Sequence, residues 1–390
     1  MTEDIERAIG WRRHLHAHPE ILYDLPDTTR FIAERLAEAG VDVLETGIGR
    51  CGIVALIHGR SPSDRVVGLR ADMDALPIHE QTGLSYASRT PGRMHACGHD
   101  GHMAMLLGAA WRLAATRAFS GTIALVFQPA EEGGAGAKAM IDDGVLDRFG
   151  IAEIYGLHAM PALPIGHFAT RPGALMASSD LIAIDLDGRG GHPGAPHLAD
   201  DVVLAGAAIV QAVQRITSRT RDPIEPAVVS LTCFQAGERE NVMPAKATIR
   251  GTVRALNEAA RQGIELELRR MVPQVAAGFG VEATVSYRRE YPVTINDPEK
   301  VSLAVGAARS VVGDQAVDSS ARPILASEDF AYFLAERPGA FAFIGNGPSS
   351  PLHAPTFDFA DAAIPFGIDF LCRLTEVATA ASPANGRTSS

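Results

Sequence analysis

Cysteine is scarce in this chain: Cys51, Cys97, Cys233 and Cys372 are the only four among 390 residues, far apart and without paired spacing. A disulfide framework is therefore not expected, and reduced thiols are the default. Positive charge is also in deficit, with 35 Lys and Arg against 46 Asp and Glu, a formal net charge of −11 and a pI near 5.6. That balance argues against nucleic acid or an anionic membrane surface as partner. No apolar run approaches the ~20 residues needed to span a bilayer. The start, Met1-Thr2-Glu3-Asp4, is acidic and lacks the apolar segment of a secretory signal, so a cytoplasmic location is expected. No internal repeat is found either. What remains is an ordinary globular composition, 46% apolar and 21% charged, of a length that suits two domains. The tail Ala381 to Ser390 reads as disordered.

The densest run of metal-seeking side chains is Met94-His95-Ala96-Cys97-Gly98-His99-Asp100-Gly101-His102, with three His, one Cys and one Asp in nine residues. Glycines on both sides of His99 let the backbone turn sharply, so Cys97 and His99 could reach one point in space. Thiolate and imidazole are ligands that Zn²⁺, Mn²⁺, Co²⁺ or Ni²⁺ would accept. Two ligands do not make a site.

The rest of the chain offers more. His14, His16 and His18 stand in a polar segment stopped by Pro19, which reads as a loop or helix end rather than a metal cluster. Asp27 is expected to cap a helix through Ala39, with Gly40 as terminator. Ile53 to Ile57, Val66 to Leu69, Thr122 to Phe127 and Ile151 to Leu157 are short apolar runs, as expected of strands buried on both faces. Their ends deliver Asp72 and Asp74, then Glu131-Glu132, then His158. Open α/β sheets place their active sites just past such strand ends. From Asp180 the order changes to strand, helix, strand, strand, helix, strand, which is that of a ferredoxin-like unit. An α/β chain with a second domain inserted into the first is the fold expected.

Each polar cluster has a bland reading. Glu131-Glu132 taken alone suits a solvated acidic turn, but adjacent carboxylates point apart, so one can bind a cation while the other stays free as a base. Alone, His158 and His353 suit packed, hydrogen-bonded residues. Asp72 and Asp74 suit ligands, carboxylates that hold a ligand His, or helix caps, and their place after a strand favours the supporting role, at least for Asp74. In the inserted part, His192 lies on a Gly-rich loop and Asn241 beside Met243-Pro244. Alternation puts Arg250, Thr252 and Arg254 on one strand face, where Arg can clamp a carboxylate.

Together these motifs resemble one family: the amidohydrolase branch of the aminoacylase-type dinuclear metallopeptidases, which includes hippurate hydrolases and indole-acetyl-amino-acid hydrolases. The matching segments run in order: Arg12 to Glu20, Arg70 to Pro77, Met94 to Asp100, Gln128 to Glu132, Gly156 to His158, Gly191-His192, Asn241 to Pro244, Ser327 to Phe330 and His353 to Pro355. The resemblance implies a mixed-sheet, zinc-peptidase-like catalytic domain (1–178 and 290–390) with an inserted ferredoxin-like lid and dimerisation domain (179–289). It implies two divalent ions, from Mn²⁺, Zn²⁺, Co²⁺ or Ni²⁺, held by Cys97, His99, Glu132, His158 and His353. Glu131 would be the general base and Asp74 would orient a ligand. His192, reaching across a homodimer, would help the oxyanion, and Asn241 and Arg254 would hold the substrate carboxylate. Pro193-Gly194 departs from the small apolar residues that relatives often carry there. The expected reaction cleaves the amide of an N-acyl-L-amino acid. A dipeptidase or carboxypeptidase would use the same machinery. Two other classes stay open: a thiol hydrolase with Cys97 as nucleophile, and a silent metal-free scaffold.

Overall fold

The strands whose ends carry the polar clusters lie side by side in one sheet. The computed structural model describes residues 3–222 and 224–380, so the tail expected to be disordered lies outside the description. The chain divides into two units: Met1–Gly173, Ile295–Arg322 and Asp329–Ser390 form the first, and Ala174–Thr294 with Pro323–Glu328 the second. In the first unit, helices α1 (Glu3–Ala17) and α2 (Pro26–Ala39) precede strands β1 (Val43–Ile48), β2 (Gly52–His58) and β3 (Ser61–Asp72). Helix α3 (His99–Thr116) leads into β4 (Ser120–Gln128), and α4 (Gly136–Asp142) precedes β5 (Glu153–Met160). The second unit holds β6 (Asp180–Asp187), α5 (Val202–Arg219), β7 (Ala227–Ala236), β8 (Lys246–Ala255), α6 (Glu258–Ala277) and β9 (Glu282–Arg289). The first unit resumes with α7 (Pro298–Val312), β10 (Gly339–Gly345) and α8 (Ile364–Ala380).

The first unit's sheet runs β1-β2-β4-β3-β5-β10 and ends in the short strands Phe168–Ala169 and Val317–Asp318. Strands β4, β3, β5 and β10 are parallel, whereas β2 is antiparallel to both its neighbours, so the sheet is mixed. From β3 the chain crosses first to β4 on one side and then to β5 on the other. A crevice opens outside the carboxyl ends of strands where the order reverses in this way. Ile53, Val54, Leu125, Val126 and Phe127 are fully buried, as unbroken apolar runs require when both sheet faces are covered. Helices α3 and α8 approach closely because glycine stands at the crossing. A Cβ on Gly108 would lie 2.3 Å from Ile368 Cδ1.

In the second unit the strands order β9-β6-β8-β7, every neighbouring pair antiparallel. Ile209 and Val213 of α5 and Ile264 and Leu268 of α6 build its core against Ile184 and Ile249. Connection order and strand order together make this a ferredoxin-like βαββαβ unit. Asn257 caps α6, its side chain accepting the Ala260 N–H at 2.6 Å.

Of two local expectations, the helix end near Pro19 is met and the Asp27 cap fails. The segment around His14 to His18 is helical up to Ala17, and the side of α1 that faces inward carries the buried Arg12 and His16 beside Leu15. Asp27 does not cap α2. The helix starts at Pro26, and Glu20 accepts the N–H groups of Asp27 and Thr28 at 3.2 and 2.8 Å. Asp27 instead pairs with Arg30 on the surface. Gly40 does end the helix, at φ 77°.

Candidate metal centre

The Cys97–His99 turn forms because Gly98 adopts φ 89°, a conformation costly for any residue with a Cβ. Helix α3 then begins at His99, and Gly101 in its first turn lets Phe359 lie flat against the backbone. A Cβ there would sit 2.4 Å from the Phe359 ring. Gly101→Ala should therefore cost about 1–3 kcal/mol by overpacking, measured as a lower denaturant midpoint. An unchanged midpoint would contradict the packing described.

Strand β3 ends at Asp72, which is fully buried. One of its oxygens accepts from Arg70 Nη1 at 2.8 Å, the other from His102 Nδ1 at 2.7 Å. Burial opposes its charge, yet His99 and Arg70 outweigh burial and hold the carboxyl well below the usual range. Asp74 acts through two kinds of group. Its backbone carbonyl accepts from His99 Nδ1 at 2.7 Å, while its carboxylate accepts the N–H groups of Glu131 and Glu132 at 2.8 and 3.1 Å. The carbonyl thus fixes the His99 tautomer, with the proton on Nδ1 and the lone pair on Nε2. The carboxylate aims the glutamate pair. Burial, partly countered by His99, pushes the Asp74 carboxyl up to about 7.

The pair is braced from the other side as well. Ala130 is left-handed at φ 52°. Asp329 accepts from Gln128 Nε2 at 2.8 Å, from the Ala137 N–H at 3.0 Å and from Arg70 Nη2 at 3.1 Å. The Asp329 N–H donates to Glu131 Oε1 at 3.4 Å.

The candidate donor atoms converge. One atom each from Cys97, His99 and Glu132 falls within a mutual 4.8 Å. His158 Nε2 lies 3.4 Å from Cys97 Sγ, and His353 Nε2 lies 3.3 Å from Glu132 Oε1. His158 donates its Nδ1–H to the Ala159 carbonyl at 2.7 Å, which turns its Nε2 lone pair toward Cys97. His353 is presented by a left-handed backbone, φ 66°, tied by its N–H to the Ala96 carbonyl at 2.8 Å. Among the described residues, His99 Nε2 and Glu132 Oε1 are buried without a hydrogen-bond partner. Burial works against a positive charge on His99, but Asp72, Glu132 and Asp74 raise its pKa to about 8. A field that draws a proton onto His99 also draws a metal cation. A thiol, imidazoles with directed lone pairs and a carboxylate form a donor set that fits borderline divalent ions.

The same surroundings disfavour a thiol nucleophile. Burial, then the charges of Glu132 and Glu131, push the Cys97 thiol well above its usual value. Burial, with His102 next, holds His158 well below the normal imidazole value. A catalytic thiolate is favoured by a lowered thiol pKa, and although His158 Nε2 stands beside Cys97 Sγ, both groups are shifted against a thiolate–imidazolium pair.

Residues 68–377 match the model of peptidase family M20/M25/M40. The chain belongs to this family. It is 39% identical to the hippurate hydrolase of Campylobacter jejuni, over 93% of this chain and 94% of that one. It is 38% identical to thermostable carboxypeptidase 1 of Saccharolobus solfataricus, over 88% of each. A solved structure from Bacillus subtilis, described as a dinuclear metal-binding peptidase of family M20, superposes with a TM-score of 0.85 at 35% identity, covering 96% of this chain and 98% of that one. The chain is thus a metal-dependent hydrolase of amide bonds, and no helix among its described residues is long and apolar enough to cross a membrane.

Three expected site residues belong to the second unit. His192 is exposed on the loop after β6, where its Nδ1 accepts the Gly194 N–H at 3.0 Å, so Pro193-Gly194 shapes its ring orientation. The exposed Asn241 lies on an adjoining loop, since Gly191 and Met243 bridge the two segments. Arg254 is half-buried on β8, with Nη1 on the Val253 carbonyl at 3.1 Å. Sequence reasoning gave no role to Arg70, Gln128, Asp329 or His102. For His102 a signal existed: it is three residues after His99, which puts both on one helix face. The others act through contacts as far apart as Arg70 and Asp329, which no local pattern reveals.

If Asp74 aims the glutamate pair, Asp74→Ala should weaken divalent-ion affinity by roughly 10- to 100-fold, as loss of a ligand's supporting contact does. Competition with a chromogenic chelator measures it; unaltered affinity would show that the loop holds its shape without this carboxylate.

Proposed function

We propose that the protein hydrolyses the amide bond of N-acyl-L-amino acids, hippurate-like or N-acetylated, with Cys97, His99, Glu132, His158 and His353 holding two divalent ions. The observation that carries this reading is the divergence of two adjacent carboxylates. Glu132 Oε1 faces His99 and His353, whereas Glu131 Oε1 meets the Asp329 N–H. Bound in this cluster, two divalent ions supply Lewis acidity that makes water nucleophilic and polarises the amide carbonyl. Glu131 accepts a proton from the attacking water as its oxygen bonds to the carbonyl carbon. It then gives that proton to the amide nitrogen, which departs as the free amine when the C–N bond breaks. Products are a carboxylic acid and an amino acid. In this reading His192 stabilises the oxyanion, Asn241 and Arg254 hold the substrate carboxylate, and the inserted unit serves as lid.

Burial lowers the tendency of Arg254 to keep its charge, opposed by Asp180 and Glu290, a condition that favours a carboxylate partner. The inserted unit also joins two copies. Its outer strand β7 exposes Phe234, and Val203, Leu204 and Val242 of the same unit are exposed too. A sedimentation experiment that finds only monomer would remove the dimer. The substrate class is tested by following amino-acid release from hippurate, N-acetyl-amino acids and dipeptides. The acyl substrates should be turned over with higher kcat/KM. Preference for dipeptides would move the protein to the carboxypeptidase reading, which a relative of that name at 38% identity keeps in view.

A further inference from the structure

His102 lies one turn of α3 beyond His99, buried to 2% exposure, and is not one of the five donors named above. Its Nδ1 is 2.7 Å from Asp72 Oδ1, and its Nε2 is 2.9 Å from the backbone nitrogen of Ala159. A backbone N–H can only donate, so Nε2 must carry the lone pair and Nδ1 the proton, which it gives to Asp72. Two neighbours therefore dictate one tautomer and consume both ring nitrogens. Although atoms of Asp72, His99, His102 and His158 fall within 4.8 Å of one another, His102 has no lone pair left for a cation.

What His102 does instead follows from what it ties together. Ala159 succeeds His158, and its carbonyl receives the His158 Nδ1–H at 2.7 Å. The rings of His102 and His158 meet edge to face with centroids 4.6 Å apart. Asp72 is anchored in turn by Arg70, and Arg70 by Asp329. The end of β3, the first turn of α3 with His99, and the end of β5 with His158 thus all converge on one imidazole. An aliphatic side chain there would leave the Ala159 N–H and one Asp72 oxygen buried without partners, and each would seek another arrangement.

We propose that His102 is a positioning residue, a neutral imidazole strut that sets His158 against His99 and thereby the affinity of the centre for its second divalent ion. The proposal rests on the reading that the cluster holds two ions. It concerns which groups hold the geometry, so it can fail while that reading stands.

The test is Co²⁺ and Mn²⁺ affinity by chelator competition on the stripped full-length protein, comparing wild type, His102→Leu and His102→Gln. Glutamine keeps one donor and one acceptor. In His102→Leu the second ion should bind roughly 10- to 100-fold more weakly, with the first less affected and with a changed Co²⁺ absorption spectrum. His102→Gln should recover part of that loss. Unchanged affinity and spectrum in His102→Leu, with only thermal stability reduced, would overturn the proposal and leave His102 a packing residue. Complete loss of one ion that glutamine does not relieve would overturn it in the other direction, making His102 a ligand. Where His102→Leu fails to fold, nitrogen NMR of the cadmium-loaded wild type decides. The His102 ring should show a protonated Nδ1 and no coupling to cadmium, and a cadmium coupling would refute the strut. If wild type itself binds no second ion, the two-ion reading fails first, and that outcome is distinct from the others.

Discussion

Exchanging Glu131 for glutamine should lower kcat by roughly 10²- to 10⁴-fold, the usual contribution of a positioned proton-transfer group, while both divalent ions stay bound. Glutamine matches glutamate in shape and keeps the backbone N–H on Asp74, so the loop and its neighbour Glu132 should stay in place. What it loses is the capacity to accept a proton from water and return it to the leaving nitrogen. The check is metal content and initial rates on the same preparations. Activity within tenfold of wild type would remove Glu131 from the role of base. Loss of metal together with activity would instead assign Glu131 to the ligand set, against the geometry that gives that place to Glu132.

Replacing Arg12 by methionine should destabilise the protein by about 3–5 kcal/mol, because it strips the partner from a buried charge. Arg12 is fully buried, donates its Nε–H to Asp100 at 2.7 Å, and also reaches Asp358 and Asp361. His16 completes the group, 2.8 Å from Asp100 and 3.2 Å from Glu80. Asp100 directly follows His99, so the network clamps the start of α3 on which the metal centre depends. Its charges also set a pH window. Burial opposes the charge of Asp100, but Arg12 and His16 prevail and hold it far below the usual carboxylate range. That stabilisation is present above the unfolded value of ~3.9 and is lost as pH falls through the native one. Burial likewise opposes the charge of His16, yet the hydrogen bonds of Asp100 and Glu80 raise it to about 9. This contribution is full below the unfolded ~6.5 and is lost as pH rises through about 9. Denaturant midpoints across this range should fall on both flanks in wild type. A midpoint for Arg12→Met equal to wild type would contradict the network.

These two predictions draw on parts of the molecule that the sequence disclosed unequally. The ends of β3, β4 and β5 were legible because unbroken apolar runs mark buried strands and polar residues follow each one. Cys97 and His99 were legible because glycine, thiol and imidazole in one short run have few other uses. Helix α1 was not, since its inward side carries Arg12 and His16, and periodicity searches look for apolar stripes. The start of α2 was misread for a similar reason: Glu20, seven residues upstream of Asp27, does the work that a local cap would do. The contacts of Asp74 were half visible. A carboxylate near a ligand suggests an orienting contact, but only coordinates reveal that its carbonyl holds His99 while its carboxylate holds the glutamate loop.

The most direct measurement is amino-acid release from hippurate by chelator-stripped protein as Mn²⁺ is returned in steps. A two-ion centre built from Cys97, His99, Glu132, His158 and His353 predicts no turnover without metal, with full recovery only as the second equivalent is added. Turnover that survives stripping and disappears in Cys97→Ser would contradict it and return the chemistry to the thiol.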